Sequence, residues 1–266
     1  MARTPRRADV SRDLDSLAAE LRFAGDRELI ERVAIEVTSA VRKAGLPEEF
    51  LDYVEVGRAQ KKNFAQDFST ALAQKVADSL RTRLRGILPA VDGSSTESRG
   101  RAAGGLKKLD VNYWPGPQGL GLSVSIKTLN FRDSGSQRYT KNMRRIDGEL
   151  RAEASDLHRF SPYAVLAAII LLPEDAAEDA RTHRSSLKHA FDVFRRRGGR
   201  SSHTDDPSTF ELLFVGVYST TADSFGRVRL FTHSADAPDS GLPADELTFS
   251  QVLRMIEAAH AVRSKE

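Results

Sequence analysis

The stretch YAVLAAIILLP, residues 163–173, is the most apolar run in the chain. It is too short to span a bilayer, for which a helix needs about 20 apolar residues. Unbroken apolarity over this length reads instead as a strand buried in a core. A strand of that kind must be covered by other elements, so it limits what the rest of the chain can be.

Before it, Leu14, Leu17, Leu21, Ile30, Val33, Val37 and Val41 recur at helical spacing through residues 11–44, interrupted at Gly25 and Asp26. Gly45 stops that pattern and Pro47 opens a short further helix. Phe64, Phe68, Leu72, Val76, Leu80 and Leu84 mark one side of a helix over 62–85, ended by Gly86 and Pro89. Residues 1–89 are therefore expected to form a helical N-terminal region. Residues 90–105, AVDGSSTESRGRAAGG, lack apolar periodicity and predict a flexible loop, made basic by Arg99 and Arg101.

From 106 the pattern changes to strands, at 106–113 and 119–128. A helix over 141–159, the buried strand 163–172 and a helix over 184–197 follow. Strands 210–219 and 226–233 are joined across TADSFG, and a last helix, 248–263, opens on Thr248 and Gln251 at capping-box spacing. The order β-β-α-β-α-β-β-α over 106–266 predicts an α/β domain, a mixed sheet with flanking helices. No internal repeat is present.

The length of 266 residues suits one large domain, or one domain with a helical appendage. The absence of cysteine excludes disulfides, thiolate nucleophiles and cysteine-based zinc sites. With no apolar core after the opening MARTPRR and no membrane segment, a cytoplasmic protein is expected. The net charge of +3 is unevenly spread. Residues 81–108 hold seven Lys/Arg against two acids, 131–145 five against one, and 184–200 six against one, whereas from 201 onward ten acids face five bases. Positive charge gathered in this way fits a polyanionic partner.

One segment carries the chemistry: KKLDVNYWPGPQGLGLSVSIKTLNFRD, residues 107–133. Alternate residues of a strand share a face. Leu109 and Val111 then point one way and Asp110 and Asn112 the other, while Ser123, Ser125 and Lys127 lie opposite Val124 and Ile126. If the two strands pair, Asp110 and Lys127 project from the same side. Burying an unpaired charge costs several kcal/mol, so the two belong to a site or to a salt bridge at a sheet end. An acid and a lysine so placed suit metal-assisted phosphodiester hydrolysis, in which carboxylates hold Mg²⁺ and the lysine serves the attacking water.

On these residues the chain resembles the PD-(D/E)xK nuclease superfamily, which includes many restriction enzymes. Its core is a helix, three strands with the acid on the second and (D/E)xK on the third, then a helix and a strand. Asp110, Ser125-Ile126-Lys127, helix 141–159 and strand 163–172 follow that order, over about a quarter of the chain. The resemblance implies a restriction-endonuclease-like core and a Mg²⁺-dependent DNA endonuclease of restriction or phage defence, acting on double-stranded DNA as a homodimer. Leu109 stands where the superfamily often has proline, and Ser125 where it has its second acid. A Ser-x-Lys subgroup relocates that acid to the following helix. There Met143, Ile146, Leu150, Ala154 and Leu157 define the buried stripe. At about 100° per residue, Glu153 lies roughly 40° and Glu149 roughly 80° from its centre, on the same side. Asp110 with Glu149 or Glu153 would hold the metal, Lys127 would serve the water, and Ser125 would line the site. The alternative for both glutamates is a surface salt bridge with Arg145 or another nearby base.

The basic run RDSGSQRYTKNMRR, 132–145, offers Arg132, Arg138, Lys141, Arg144 and Arg145 to DNA phosphates, with Asn142 and Tyr139 as neutral donors. Arg99 and Arg101 join them, and FRRRGGR, 194–200, forms a second basic edge. The histidines lack metal-ligand spacing, and Ser125 has no histidine partner for nucleophilic catalysis. Two readings compete with the enzyme: a nuclease-like protein that only binds nucleic acid, and an α/β interaction protein that does not.

Overall fold

A computed structural model describes residues 58–91, 98–102, 105–116, 119–133, 135–180, 184–219 and 228–265, with all their side chains except those of 58–60, 98–102 and 105–106. The helices expected over 11–44 and after Pro47, the TADSFG connection, and the side chains of Arg99 and Arg101 lie outside these residues.

Helix α1 spans Arg58–Leu80. Strands β1 (Ser98–Ala102) and β2 (Gly105–Leu109) form an antiparallel hairpin. Next come β3 (Val111–Tyr113), β4 (Leu122–Thr128), α2 (Met143–Phe160), β5 (Val165–Pro173) and α3 (Ser186–Phe194). The chain closes with β6 (Leu212–Tyr218), β7 (Val228–Thr232) and α4 (Phe249–Arg263). The sheet order is β3-β4-β5-β6-β7, with β4, β5 and β6 parallel and both edge strands antiparallel to their neighbours. Parallel neighbours require a crossover, which α2 and α3 supply. The class is α/β, a five-stranded mixed sheet with flanking helices, as the element order predicts.

The central strand explains the apolar run. All nine residues of β5 are buried. Leu166, Ala168, Ile170 and Leu172 pack with α2 and α3, while Val165, Ala167, Ile169 and Leu171 pack with α1 and α4. A strand covered on both faces has no solvent side, so its sequence does not alternate. The stripe Met143, Ile146, Leu150, Ala154 and Leu157 is wholly buried, as its spacing requires. Phe64, Phe68 and Leu72 of α1, assigned from sequence to the helical region 1–89, share one core with Phe214 and Tyr218 of β6. The Phe68 and Tyr218 rings meet edge-on at 5.0 Å. Each such large side chain withdrawn from water contributes about 1.5–3 kcal/mol. The Thr248–Gln251 capping box opens α4.

Two expectations are corrected. The single strand 106–113 is broken at Asp110, which sits in a bend between β2 and β3. Leu109 packs in the core under α2 and Val111 in the core under α1. Residues two apart on one strand cannot face opposite ways, so the chain turns between them. The expected loop 90–105 contains β1, whose partner β2 supplies the backbone hydrogen bonds that its Gly- and Ser-rich sequence does not advertise. Lys107 ties β2 to Asp156 of α2 at 2.8 Å.

At the end of the sheet where β5 and β6 begin, Glu211 anchors a buried charge cluster. Its carboxylate accepts from Arg200, from Arg263 at 3.4 Å and from the Leu166 backbone N–H at 2.8 Å, and it faces His158 at 3.3 Å. The donors leave no carboxylate oxygen bare, which is the condition for burying charge without unfolding the chain.

Candidate functional site

The site grows from β4. Val124 and Ile126 belong to the core under α1, so the pleat turns Ser125 and Lys127 toward α2. Ser125 is 2% exposed, and a hydroxyl buried that far needs a partner. It donates to the carboxylate of Glu153. The other Glu153 oxygen lies 3.8 Å from the Lys127 ammonium. Helix α2 holds Glu153 there because Leu150, Ala154 and Leu157, on either side of it in sequence, are locked into the core.

Glu149 goes elsewhere. It pairs with Arg145 one turn earlier, and its side chain is 44% exposed against 12% for Glu153. The difference of about 40° between the two on the helix is therefore enough to separate an inward acid from an outward one. The structure brings Glu153, and not Glu149, to Ser125 and Lys127; for Glu149 the expectation of a surface salt bridge with Arg145 describes the geometry.

Asp110 reaches the same strand segment by another route. Its Oδ2 accepts the backbone N–H of Ile126 at 2.8 Å. Strand β3 pairs with β4 only over Leu122–Val124, so the Asp110 carboxylate takes the ladder position that β3 leaves open next along β4. Two carboxylates from distant parts of the chain thus engage consecutive residues, Ser125 and Ile126, with Lys127 following. Asp110 and Lys127 were expected to share the face of paired strands. Asp110 instead occupies a bend and reaches β4 through its backbone.

Among the described residues no group of three or more His, Asp or Glu side chains is disposed to hold a metal, so Asp110, Glu149 and Glu153 do not form a three-carboxylate cage. Two carboxylates fit Mg²⁺, which keeps several waters and takes one or two protein carboxylates plus substrate phosphate. They do not fit a closed four-ligand zinc site.

The basic residues divide. Arg132 is drawn inward, bonded to Asp175 and to the Tyr139 hydroxyl at 3.3 Å. Burial pulls its guanidinium down, but the Tyr139 and Asp175 partners outweigh that and raise it above its ordinary value. Burial likewise pushes the Tyr139 phenol up, with Asp175 adding to it. Arg132 is thus tied to groups that follow β4 and β5 while still partly exposed. Arg138 donates to the Arg184 carbonyl. Lys141 pairs with Asp133 at 3.2 Å, Arg145 with Glu149, and Asn142 and Arg144 are exposed.

The sequence reading missed three side chains near this end of the sheet. Asn130 donates to Thr128 at 2.9 Å, and Asp175 receives Arg132 and Tyr139. Their signal was position: Thr128 and Asn130 lie one and three residues after Lys127, and Asp175 two residues after the end of β5, at the carboxyl ends of parallel strands where α/β sites form.

Fold and site together define an α/β protein with an Asp/Ser-x-Lys/Glu cluster at the edge of its sheet. No protein-family model, curated protein or solved structure matches the chain. Among the described residues no helix is long and apolar enough to cross a membrane.

Proposed function

We propose that the protein is a Mg²⁺-dependent DNA endonuclease of the PD-(D/E)xK type, a cytoplasmic restriction or phage-defence enzyme that cuts double-stranded DNA as a homodimer. The observation that carries this reading is Glu153 of α2 meeting both Ser125 and Lys127 of β4, which supplies the acid that the Ser-x-Lys stretch lacks.

Asp110 and Glu153 would hold the ion, which when bound neutralises phosphate charge and lowers the pKa of a water. Ser125 fixes the Glu153 carboxylate by its hydrogen bond, so the acid is oriented before substrate arrives. Lys127, 3.8 Å from Glu153, positions the attacking water and stabilises the charge that grows on phosphorus. The Ile126 N–H anchors Asp110 against the strand and limits its rotamers. Lys141, Asn142, Arg144 and Arg145 stand on the same end of α2 and contact the strand's phosphates.

A second reading, a nuclease-like protein that binds nucleic acid without cutting it, draws on the same cluster, since Glu153 already has Lys127 as counter-ion and among the described residues no third carboxylate joins it. Incubation with plasmid DNA separates the two. The enzyme nicks and linearises plasmid with Mg²⁺, stops in EDTA while still binding duplex, and loses cutting in Lys127→Ala. The binding protein never cuts.

A further inference from the structure

Beside the cluster, between α1 and α2, lies a cleft of about 200 Å³ lined by Thr128, Asn130, Phe131, Lys141, Asn142 and Arg145. None of its lining residues is acidic. It begins at the residue after Lys127, and Arg145 stands two turns before Glu153 on the same helix. A third cation stands next to the lining on the α1 side. Lys61 of α1 lies over the Phe131 ring, 5.5 Å from its centroid, and Ala65, one turn on, lines the cleft.

The neutral donors are set in advance. Tyr218, fully buried, donates to the Asn130 carbonyl oxygen at 3.0 Å, which aims the Asn130 amide at the Thr128 hydroxyl. Thr128 therefore accepts from that amide, and its own hydrogen is turned elsewhere. Lys141 and Arg145 pair with Asp133 and Glu149 while the cations themselves are 70% and 61% exposed. Pairs whose cation stands in solvent are weak, so they give way to a stronger anion.

We propose that this cleft seats a phosphate of the nucleic-acid strand, the neighbour of the one that is hydrolysed, held between Lys61 on one wall and Lys141 and Arg145 on the other. The assignment rests on the nuclease reading. The same chemistry is offered by an internal diester or a terminal monoester.

The test is fluorescence anisotropy of the full chain with short labelled duplexes in EDTA, over a range of salt, with 5′-phosphate or 5′-hydroxyl ends. Lys61→Ala with Lys141→Ala weakens binding roughly tenfold at low salt and flattens the salt slope by about one, the share of a single phosphate. Arg254→Ala with Lys265→Ala, which removes equal charge from exposed positions on α4 and just after it, leaves affinity within about twofold. Lys61→Gln with Lys141→Gln, which keeps much of the side-chain stem, repeats the loss at an unchanged melting temperature. Loss on both duplexes identifies an internal diester; loss confined to the 5′-phosphate duplex identifies a terminal monoester. Unchanged affinity, or an equal loss in the Arg254/Lys265 variant, overturns the proposal. If wild type binds but never cuts with Mg²⁺, hydrolysis falls while the affinities still decide the cleft; if it binds neither duplex, both fall.

Discussion

Glu153 Oε2 lies 3.8 Å from Lys127 Nζ across the gap between α2 and β4, while the other Glu153 oxygen takes the Ser125 hydroxyl. One side chain on a helix thus answers both outer members of a Ser-Ile-Lys triplet on a strand. At about 4 Å, two unit charges attract by roughly 1 kcal/mol in water and roughly 4 kcal/mol near a protein surface. Such an attraction holds Glu153 in place without committing it against a stronger cation.

The two glutamates of α2 should separate cleanly. Glu153→Gln keeps an acceptor for Ser125 but removes the charge, and plasmid cleavage should fall by about a hundredfold or more, the scale of losing one preorganised electrostatic group. Glu149→Gln breaks only an exposed pair with Arg145, and cleavage should stay within about threefold. Equal losses in the two variants would remove Glu153 from its place in the site.

Asp110 has a structural duty besides the proposed one, and two substitutions divide them. Asp110→Asn still accepts the Ile126 N–H, so the denaturation midpoint should hold while cleavage is lost. Asp110→Ala orphans that N–H as well, and should cost about 1–3 kcal/mol of stability in urea titration. An Asp110→Asn protein that cuts like wild type would leave Asp110 with the structural duty alone.

Sequence showed much of this fold because its strongest signals are those set by burial on a regular element. The run 163–173 reads as a covered strand, and the stripe from Met143 to Leu157 shows which side of α2 faces inward, with Glu149 and Glu153 both beside it and the choice between them left to packing. The bend at Asp110 was hidden because its cause is not local. Leu109 and Val111 go to different cores, a fact of three-dimensional packing that alternation in one strand does not encode. Strand β1 was hidden likewise, since its Gly and Ser residues are held by pairing with β2. Arg132 read as a phosphate contact, yet its nearest acid, Asp175, lies after β5 and meets it only through the fold. Lys61 gave no sign of its proximity to the cleft until α1 was set against Phe131.

The buried Glu211 cluster at the other end of the sheet predicts a pH effect on stability. Burial pulls the Glu211 carboxyl upward, but His158, the Leu166 N–H and Arg200 outweigh it and hold it below its ordinary value. A carboxyl depressed by folding adds stability above its unfolded pKa, about 4.5, and loses it as pH falls through the lower folded value. Glu211→Gln strands Arg200 and Arg263 in the interior and should cost about 3–5 kcal/mol at neutral pH. In thermal melts the gap between wild type and variant should narrow as pH drops below about 4.5, where wild type loses the same charge. A gap that stays constant down to about pH 3 would show that the Glu211 charge contributes nothing to the cluster.

The central claim is that the helix-borne acid completes a hydrolytic site, and plasmid cleavage by purified wild type and Glu153→Gln, each with Mg²⁺ and with EDTA, tests it most directly. Wild type should cut only with Mg²⁺, and Glu153→Gln should bind duplex as tightly as wild type yet leave the plasmid supercoiled. Cutting by Glu153→Gln at the wild-type rate, or no cutting by wild type with Mg²⁺, would contradict the account.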